Sequence, residues 1–253
     1  MARWPELVND ARIAWTVHTT TIPTVALLGD DRGHISHREL NALIPRLRDE
    51  LGVHATWVPT DSSFDLAAYD GVWLVPGSPY ASDDAVYQAL RTVRRNGMPF
   101  LGTCGGMQYA VIEYLRDVVG TAATHAESDG ESDDNAVEVL ACSLYGEERT
   151  VVPIEGTRFA TWCPEPFIGM HFCNYAPTAQ AISSLEATGV VVGARADDAG
   201  VEVLDFPGSP FFVTSLFQPH IGASAGVPIH PLIRAFASAV VDTARAVGDP
   251  IVR

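Results

Sequence analysis

Apolar runs alternate with amphipathic stretches along the first part of the chain. Residues 22–28 form an apolar run that ends at Gly29, and residues 34–51 repeat leucine and isoleucine at helical spacing. Strands that alternate with helices predict βαβ units in a parallel, doubly wound α/β sheet. The predicted strands are residues 22–28, 55–59, 71–75 and 99–102, and the predicted helices are residues 34–51 and 85–95.

The rest of the chain predicts further strands and one long helix. Residues 137–144 and 149–154 have the composition of two hairpin arms, joined by a turn at residues 145–148. The other predicted elements are strands at residues 190–195, 200–204 and 211–217 and an amphipathic helix at residues 231–247. We expect residues 1–253 to form one domain, in which a mostly parallel sheet carries a small antiparallel accessory edge.

The chain is strongly acidic. Its formal net charge of −15 at pH 7 repels phosphate backbones and argues against a nucleic-acid partner. Residues 127–135 are acidic and lack apolar side chains, which predicts an exposed loop. No run of about 18 apolar residues predicts a membrane span. Glu6 and Asp10 interrupt the N-terminal region, which argues against a signal peptide.

The cysteines show no metal or disulfide pattern. Cys104, Cys142, Cys163 and Cys173 lack Cys-x-x-Cys spacing, so the sequence predicts neither a zinc site nor a disulfide framework and favours a reducing, cytoplasmic setting. The chain also lacks the glycine-rich loops of nucleotide sites and any closely spaced set of histidine and acidic metal ligands. We therefore expect no cofactor and no metal.

One segment carries a candidate catalytic residue. Residues 98–108 join an apolar strand to a helical pattern through Gly-x-Cys-x-Gly, with Cys104 at the centre. Such a turn is a nucleophile elbow, in which glycines relieve the crowding around a strained residue. A helix N-terminus lowers the pKa of a thiol and offers N–H groups to an oxyanion. The pattern predicts a nucleophile for acyl transfer, and the alternative is a structural cysteine at a tight turn.

The residues around Cys104 carry a family resemblance. Residues 99–120 resemble the glutaminase domain of CTP synthase, which belongs to the class I glutamine amidotransferases. Residues 69–79 are similar to the family's oxyanion-loop segment, and residues 211–220 to the segment with its catalytic histidine and glutamate. The resemblance, over roughly residues 22–245, implies a flavodoxin-like fold, a small amide substrate with glutamine first, and an ammonia-accepting synthase as a partner.

The resemblance also implies roles for residues near Cys104. The implied oxyanion-binding residues are Gly77, Ser78 and Gly105, with Ser78 in place of the family's second glycine. Gln108 and Glu127 fall where the family holds its substrate, and His171 falls where the family has an arginine. Histidine supplies fewer donors than the bidentate guanidinium group, so this change points to a different or smaller substrate.

The family's His-Pro-Glu segment is replaced by Gln218-Pro219-His220. A glutamine side chain accepts no proton at neutral pH, so Gln218 is expected to line the substrate pocket rather than act as the base. His220 is a candidate displaced base if its loop turns it toward Cys104, and otherwise an exposed loop residue or a structural residue of the pocket. Two further histidines, His34 and His37, are predicted to lie on the surface, and His125 is given no role.

Three functions follow. The first is a glutamine amidotransferase-like hydrolase, in which Cys104 attacks a side-chain amide and His220 acts as the base. The second is a cysteine hydrolase that acts on another small amide, ester or nitrile-like substrate, with His171 and Gln218 shaping the pocket. The third is a non-catalytic relative that binds a metabolite or a synthase partner. The sequence favours the first function and leaves the oligomeric state open.

Overall fold

The computed structural model describes residues 22–248, so the stretch with Glu6 and Asp10 lies outside the described residues. The strands are β1 (Thr24–Leu28), β2 (His54–Val58), β3 (Gly71–Leu74), β4 (Phe100–Thr103), β5 (Thr124–His125), β6 (Asn135–Val139), β7 (Glu147–Pro153), β8 (Phe167–His171), β9 (Tyr175–Pro177), β10 (Val191–Ala196), β11 (Gly200–Asp205) and β12 (Phe212–Ser215). The helices are α1 (Ile35–Leu51), α2 (Asp83–Asn96), α3 (Gly105–Tyr114), α4 (Ala126–Asp129), α5 (Arg158–Trp162), α6 (Ala179–Glu186) and α7 (Pro231–Gly248).

A nine-stranded sheet, in the order β2-β1-β3-β4-β12-β11-β10-β7-β8, runs through the described residues. Strands β2, β1, β3, β4 and β12 pair in parallel, whereas β11, β10, β7 and β8 continue the sheet in antiparallel pairs. The first part has the doubly wound, flavodoxin-like order that the sequence predicts. The chain extends the sheet in one direction from β1 to β2 and in the other direction from β3 onward, so the switch point lies between β1 and β3. Ligands of such sheets bind at the switch point, beyond the carboxyl ends of the strands.

Apolar side chains cover both faces of the sheet. On β3, the fully buried Val72 and Leu74 pack in one apolar cluster with residues of α2 and α3. Trp73, between them, packs in a second cluster with residues of α1 and α7. Successive strand residues point to opposite faces, so a strand covered on both sides reads as a continuous apolar run. This burial explains why the parallel strands were recognisable in the sequence.

The predicted hairpin of residues 137–144 and 149–154 is wrong. The first arm corresponds to β6, which pairs with β5 and β9 in a separate three-stranded sheet. The second corresponds to β7, which pairs with β8 and β10 in the large sheet. Both arms have strand composition, but the partner of each is chosen by tertiary contacts that a local pattern does not contain.

Two other expectations concern the acidic stretch and the presence of a membrane-spanning helix. Residues 127–134 are exposed, as expected for the acidic stretch, but its beginning forms the short helix α4. None of the helices within residues 22–248 combines the length and apolar character needed to cross a membrane.

Candidate active site

Cys104 occupies a sharp turn between β4 and α3. Its backbone has φ 54° and ψ −111°, and it is the one non-glycine residue with positive φ within residues 22–248. Its N–H donates to the Ser215 carbonyl at 2.8 Å, which anchors the turn to β12. A strained backbone of this kind costs roughly 1–3 kcal/mol and persists only where the surroundings hold it. The turn therefore fixes the thiol at the N-terminus of α3.

The glycines on either side of Cys104 are required by close backbone approaches. A Cβ atom on Gly106 would lie 2.2 Å from the Leu74 carbonyl oxygen. A Cβ atom on Gly102 would lie 2.8 Å from the Gly106 carbonyl oxygen. Real Cβ atoms do not approach oxygen atoms this closely, so the strand and the helix meet only if both positions lack a side chain. The Gly-x-Cys-x-Gly pattern thus has a steric cause.

The thiol faces a cavity of about 490 Å³ beyond the carboxyl ends of β1, β3 and β4. Among the residues predicted from the sequence, the cavity wall includes Gly77, Ser78, Cys104, Gln108, Glu127 and Gln218. Other lining residues were not predicted to belong to the site, among them Arg32, His34, His37, Tyr145, Phe172 and Cys173.

The predicted oxyanion-binding residues lie next to one another. A Cβ atom on Gly105 would be 3.1 Å from the Ser78 backbone nitrogen, so the loop before α2 touches the first turn of α3. Gly77 has φ 134° and lies against the His37 ring. His37 is buried rather than on the surface as predicted: its Nδ1 accepts from the Arg32 N–H at 2.9 Å, and its Nε2 lies 2.9 Å from the Pro76 carbonyl. His37 therefore supports the loop that carries Gly77 and Ser78.

Three hydrogen bonds determine the state of the Cys104 thiol. The largest effect comes from the Cys173 thiol, followed by the Gly105 N–H and the Gln218 side chain. Together they lower the pKa of Cys104, although burial and Glu127 act in the opposite direction. A group that lowers the pKa of a thiol stabilises its thiolate, which is the effect of an amide N–H rather than of the Gln218 Oε1 atom. The cavity thus stabilises a thiolate without an imidazole.

Gln108 and Glu127 are joined to the oxyanion loop. The Ser78 hydroxyl lies 3.3 Å from Gln108 Oε1 and 3.2 Å from Glu127 Oε2. Gln108 also donates to the Tyr175 carbonyl at 2.7 Å, so its amide is held on both sides. Although Glu127 as a whole residue is exposed, partial burial of its carboxyl at the cavity mouth raises the pKa of that carboxyl. These contacts place a fixed amide and an ionisable carboxyl on one wall.

His125, to which the sequence analysis gave no role, connects this wall to the protein interior. It is fully buried, its Nδ1 accepts from the Glu127 N–H at 3.1 Å, and its Nε2 lies 3.0 Å from Gln108 Oε1. Burial lowers its pKa to about 4, so the ring is neutral at pH 7. The acceptor at Gln108 fixes the proton on Nε2. His125 therefore orients Gln108 from behind.

The structure does not bring His220 to the thiol. Its ring lies 5.8 Å, centroid to centroid, from Trp73, and neither ring nitrogen has a hydrogen-bond partner within residues 22–248. Burial lowers its pKa to about 3. The cavity wall of the described residues includes Gln218 but not His220. The expected pairing of Cys104 with His220 is thus replaced by the contact between Cys104 and Gln218.

His171 is also placed away from the cavity wall. It is fully buried, and its Nε2 lies 2.9 Å from Oε1 of the buried Glu202. Glu202 also accepts from the Phe217 N–H at 3.1 Å. The His171–Glu202 pair links β8 to β11. Because Glu202 lies on an interior strand of the sheet, His171 points toward that strand and not toward a substrate. No local sequence pattern connects the two residues, which explains why the pair was missed.

Arg32 is the cation at the cavity mouth. Its side chain is 47% exposed and lies 3.7 Å from the Asp30 carboxylate. Arg32 also donates weakly to the Gly77 carbonyl, at 3.5 Å. Arg32 lies in the segment between β1 and α1, directly after the carboxyl end of β1. Ligands of doubly wound sheets bind at these strand ends, so the position of Arg32 after a predicted strand is the signal in the sequence that indicates a site residue.

Comparisons with known proteins identify relatives of this chain. CTP synthase of Natronomonas pharaonis is 26% identical over 246 aligned positions, and the alignment covers 90% of this chain and 45% of that protein. CTP synthase of Gloeothece citriformis is 30% identical over 194 aligned positions, and the alignment covers 70% of this chain and 34% of that protein. The chain therefore spans less than half the length of these curated relatives.

Solved structures share the fold. The glutaminase domain of Trypanosoma brucei CTP synthase with bound acivicin has a TM-score of 0.76 at 21% identity, covering 87% of this chain and 94% of that one. A glutamine amidotransferase from Thermotoga maritima has a TM-score of 0.59 at 12% identity, covering 88% and 99%. The family description "Glutamine amidotransferase class-I" matches residues 37–186, which is more than half of the chain. The chain belongs to the class I glutamine amidotransferase family.

Proposed function

We propose that this chain is a glutamine amidotransferase-like hydrolase in which Cys104 attacks the side-chain carboxamide of a small amino acid, with glutamine as the first candidate. The observation that carries the proposal is the strained turn at Cys104, which presents the thiol to the cavity at the N-terminus of α3. The lowered pKa of this thiol supplies the thiolate that attacks the carbonyl carbon.

In the proposed reaction, the attack forms a C–S bond and moves the carbonyl electrons onto oxygen. The N–H groups of Gly105 and Ser78, two residues in close contact, receive this oxyanion in the proposed reaction, with Gly77 next to Ser78 in the loop. Each such donor typically contributes about 3–4 kcal/mol to the transition state. Ammonia then leaves, and water releases the acyl group from Cys104.

The cavity wall offers groups for both ends of an amino acid. The Glu127 carboxylate suits the α-ammonium group, and the Gln108 amide is fixed beside it. Because His171 is buried against Glu202, we propose that Arg32 binds the α-carboxylate in the place expected for His171. Substitution of Arg32 by alanine is expected to raise KM about tenfold with little change in kcat, whereas Arg48→Ala at the far end of α1 changes neither.

A second candidate function follows from Gln218. This side chain donates to Cys104 and has no titratable proton to give to leaving ammonia. In the first function, solvent at the open cavity mouth must supply that proton. An ester releases an alkoxide or alcohol more readily than an amide releases ammonia, so Gln218 favours an acyl substrate with a better leaving group. The second candidate is therefore a cysteine hydrolase of a small ester.

The test measures glutamate release from glutamine and from its γ-methyl ester by the wild-type chain, Cys104→Ala and Cys142→Ala. Cys142 is exposed and lies outside the cavity, so its variant controls for the loss of a thiol. Turnover of glutamine that requires Cys104 supports the first function, and turnover of the ester alone supports the second. If neither substrate is turned over, both proposals are overturned and a non-catalytic binding function takes their place.

We also propose that ammonia from this site passes to a separate synthase. The curated relatives named above are CTP synthases of more than twice this length, and this chain aligns with less than half of each. A glutaminase without an acceptor releases its ammonia to solvent. Co-purification with a synthase that raises glutamate release at least about tenfold would support this partner, and identical rates with and without it would exclude coupling.

A further inference from the structure

Two thiols share the cavity. Cys104 and Cys173 both line it, both are 5% exposed, and each thiol shifts the pKa of the other, as neighbouring sulfur atoms do. The other cysteines, Cys142 and Cys163, are not among the described residues of the cavity wall. Acyl transfer forms a covalent bond to Cys104 alone, so the proposed hydrolase uses Cys173 only to lower the pKa of Cys104. A pair of adjacent thiols has a chemistry of its own.

The two sulfur atoms differ in charge. The neighbouring Cys173 thiol lowers the pKa of Cys104, and Cys104 in turn raises the pKa of Cys173. Burial and the nearby Glu202 carboxylate further raise the pKa of Cys173. The Gly105 N–H and the Gln218 amide stabilise negative charge on Cys104 alone. The pair therefore favours one thiolate that attacks and one thiol that retains its proton.

We propose that this pair reduces small hydroperoxides, with Cys104 as the attacking sulfur and Cys173 as the resolving one. Cys104 thiolate attacks the terminal peroxide oxygen, an S–O bond forms, and the O–O bond breaks. The departing alkoxide or hydroxide takes a proton from solvent, and Cys104 becomes a sulfenic acid. Cys173 sulfur then attacks Cys104 sulfur, the S–S bond forms, and hydroxide leaves with the Cys173 proton as water.

The oxidised pair returns to two thiols by exchange with an external thiol reductant. Two equivalents of a small thiol reduce the disulfide and become a disulfide themselves, so that two electrons are transferred per hydroperoxide. The cavity of about 490 Å³ opens beside the exposed Arg32, which gives both small reactants access to the pair. This cycle needs neither an imidazole nor a carboxamide substrate.

Closing a disulfide between the two cysteines requires their Cβ atoms to come to about 3.8 Å. Cys104 is anchored, since its N–H donates to the Ser215 carbonyl at 2.8 Å. Cys173 lies in the short connection between β8 and β9, so the remaining movement falls on this segment. Closure therefore requires no rearrangement of the large sheet.

The experiment adds one equivalent of hydrogen peroxide to the fully reduced chain and maps the products by non-reducing mass spectrometry. We expect a Cys104–Cys173 disulfide, with the loss of two of the four thiols. Cys104 is expected to react at least about tenfold faster than the exposed Cys142. With dithiothreitol present, repeated peroxide consumption should exceed the rate of dithiothreitol alone.

Variants separate the two steps. In Cys173→Ser, dimedone should trap a sulfenic acid on Cys104, and no Cys104–Cys173 disulfide should form. Cys104→Ser should consume peroxide at the background rate, whereas Cys163→Ser, which removes a buried thiol outside the cavity, should match the wild type. The proposal is overturned if wild-type Cys104 reacts no faster than Cys142, or if Cys104 is oxidised while Cys173 keeps a free thiol. Neither outcome depends on glutaminase activity.

Discussion

Gln218 and Cys104 line the same cavity, and the Gln218 side-chain amide lowers the pKa of the Cys104 thiol. A base at this place would take the thiol proton and later return one to the leaving group. The amide does neither, but it stabilises the thiolate together with the Cys173 thiol and the Gly105 N–H. The site thus keeps an activated sulfur, and within residues 22–248 none of the groups that shift its pKa is an imidazole.

Gln218→His is expected to raise the glutaminase kcat by at least about tenfold, because a placed general acid–base typically contributes 10²–10⁴-fold. The imidazole would take the place of the amide beside Cys104 and would protonate leaving ammonia. Glutamate release at saturating glutamine and neutral pH measures the change. Gln218→Asn is the control, since it keeps an amide that carries no titratable proton. Equal rates for both variants would show that proton transfer at this position does not limit turnover.

Alanine substitutions at two neighbouring glycines are expected to have different effects, one mainly on stability and the other mainly on activity. Gly106→Ala places a Cβ atom against the rigid Leu74 backbone and should lower the free energy of unfolding by about 3 kcal/mol. Gly105→Ala presses on Ser78 instead and should lower kcat about 100-fold by displacing an oxyanion donor, with a smaller loss of stability. Urea unfolding and initial rates test the pair. A kcat for Gly105→Ala equal to that of the wild type would argue against the oxyanion role.

Glu127 is expected to make substrate binding depend on pH. Burial raises the pKa of its carboxyl above the ordinary value, and only the ionised form attracts an α-ammonium group. Accordingly, kcat/KM for an amino-acid amide should rise with pH through the Glu127 pKa, with its midpoint above that of an exposed glutamate. Glu127→Gln should remove this inflection and raise KM. An unchanged profile in Glu127→Gln would assign the inflection to another group.

His220 is expected to make folding sensitive to acid. Its pKa is about 3 in the folded chain and about 6.5 when exposed, so the unfolded chain binds more protons between these values. The neutral ring stabilises the fold fully at pH values above the pKa of His220 in the unfolded chain. This stabilisation is lost as the pH falls toward the pKa of His220 in the folded chain. His220→Leu should flatten the decrease in unfolding free energy below about pH 6.5, by at most about 1.4 kcal/mol per pH unit. Urea unfolding at several pH values measures it, and identical slopes would show that His220 is already exposed.

The site residues that were predictable lie close to Cys104 or on the loops of neighbouring parallel strands. Gly77, Ser78 and Gln108 belong to this group, because the carboxyl ends of β3 and β4 meet at one edge of the sheet. His125 and Cys173 were missed as site residues, since their roles depend on the packing of the small sheet and of the connection after β8. Their local sequences resemble ordinary turn and loop segments.

The alternation of strands and helices, the parallel sheet and the glycines that permit the turn at Cys104 are predictable from short stretches of the chain. These features are local: apolar periodicity and the absence of Cβ atoms act over a few residues. Three other relationships depend on the folded chain: Gln218 rather than His220 acts on the thiol, His171 pairs with Glu202, and Cys173 acts on Cys104. Each of these contacts joins segments distant in sequence, and burial of the intervening side chains in the core sets which of them meet.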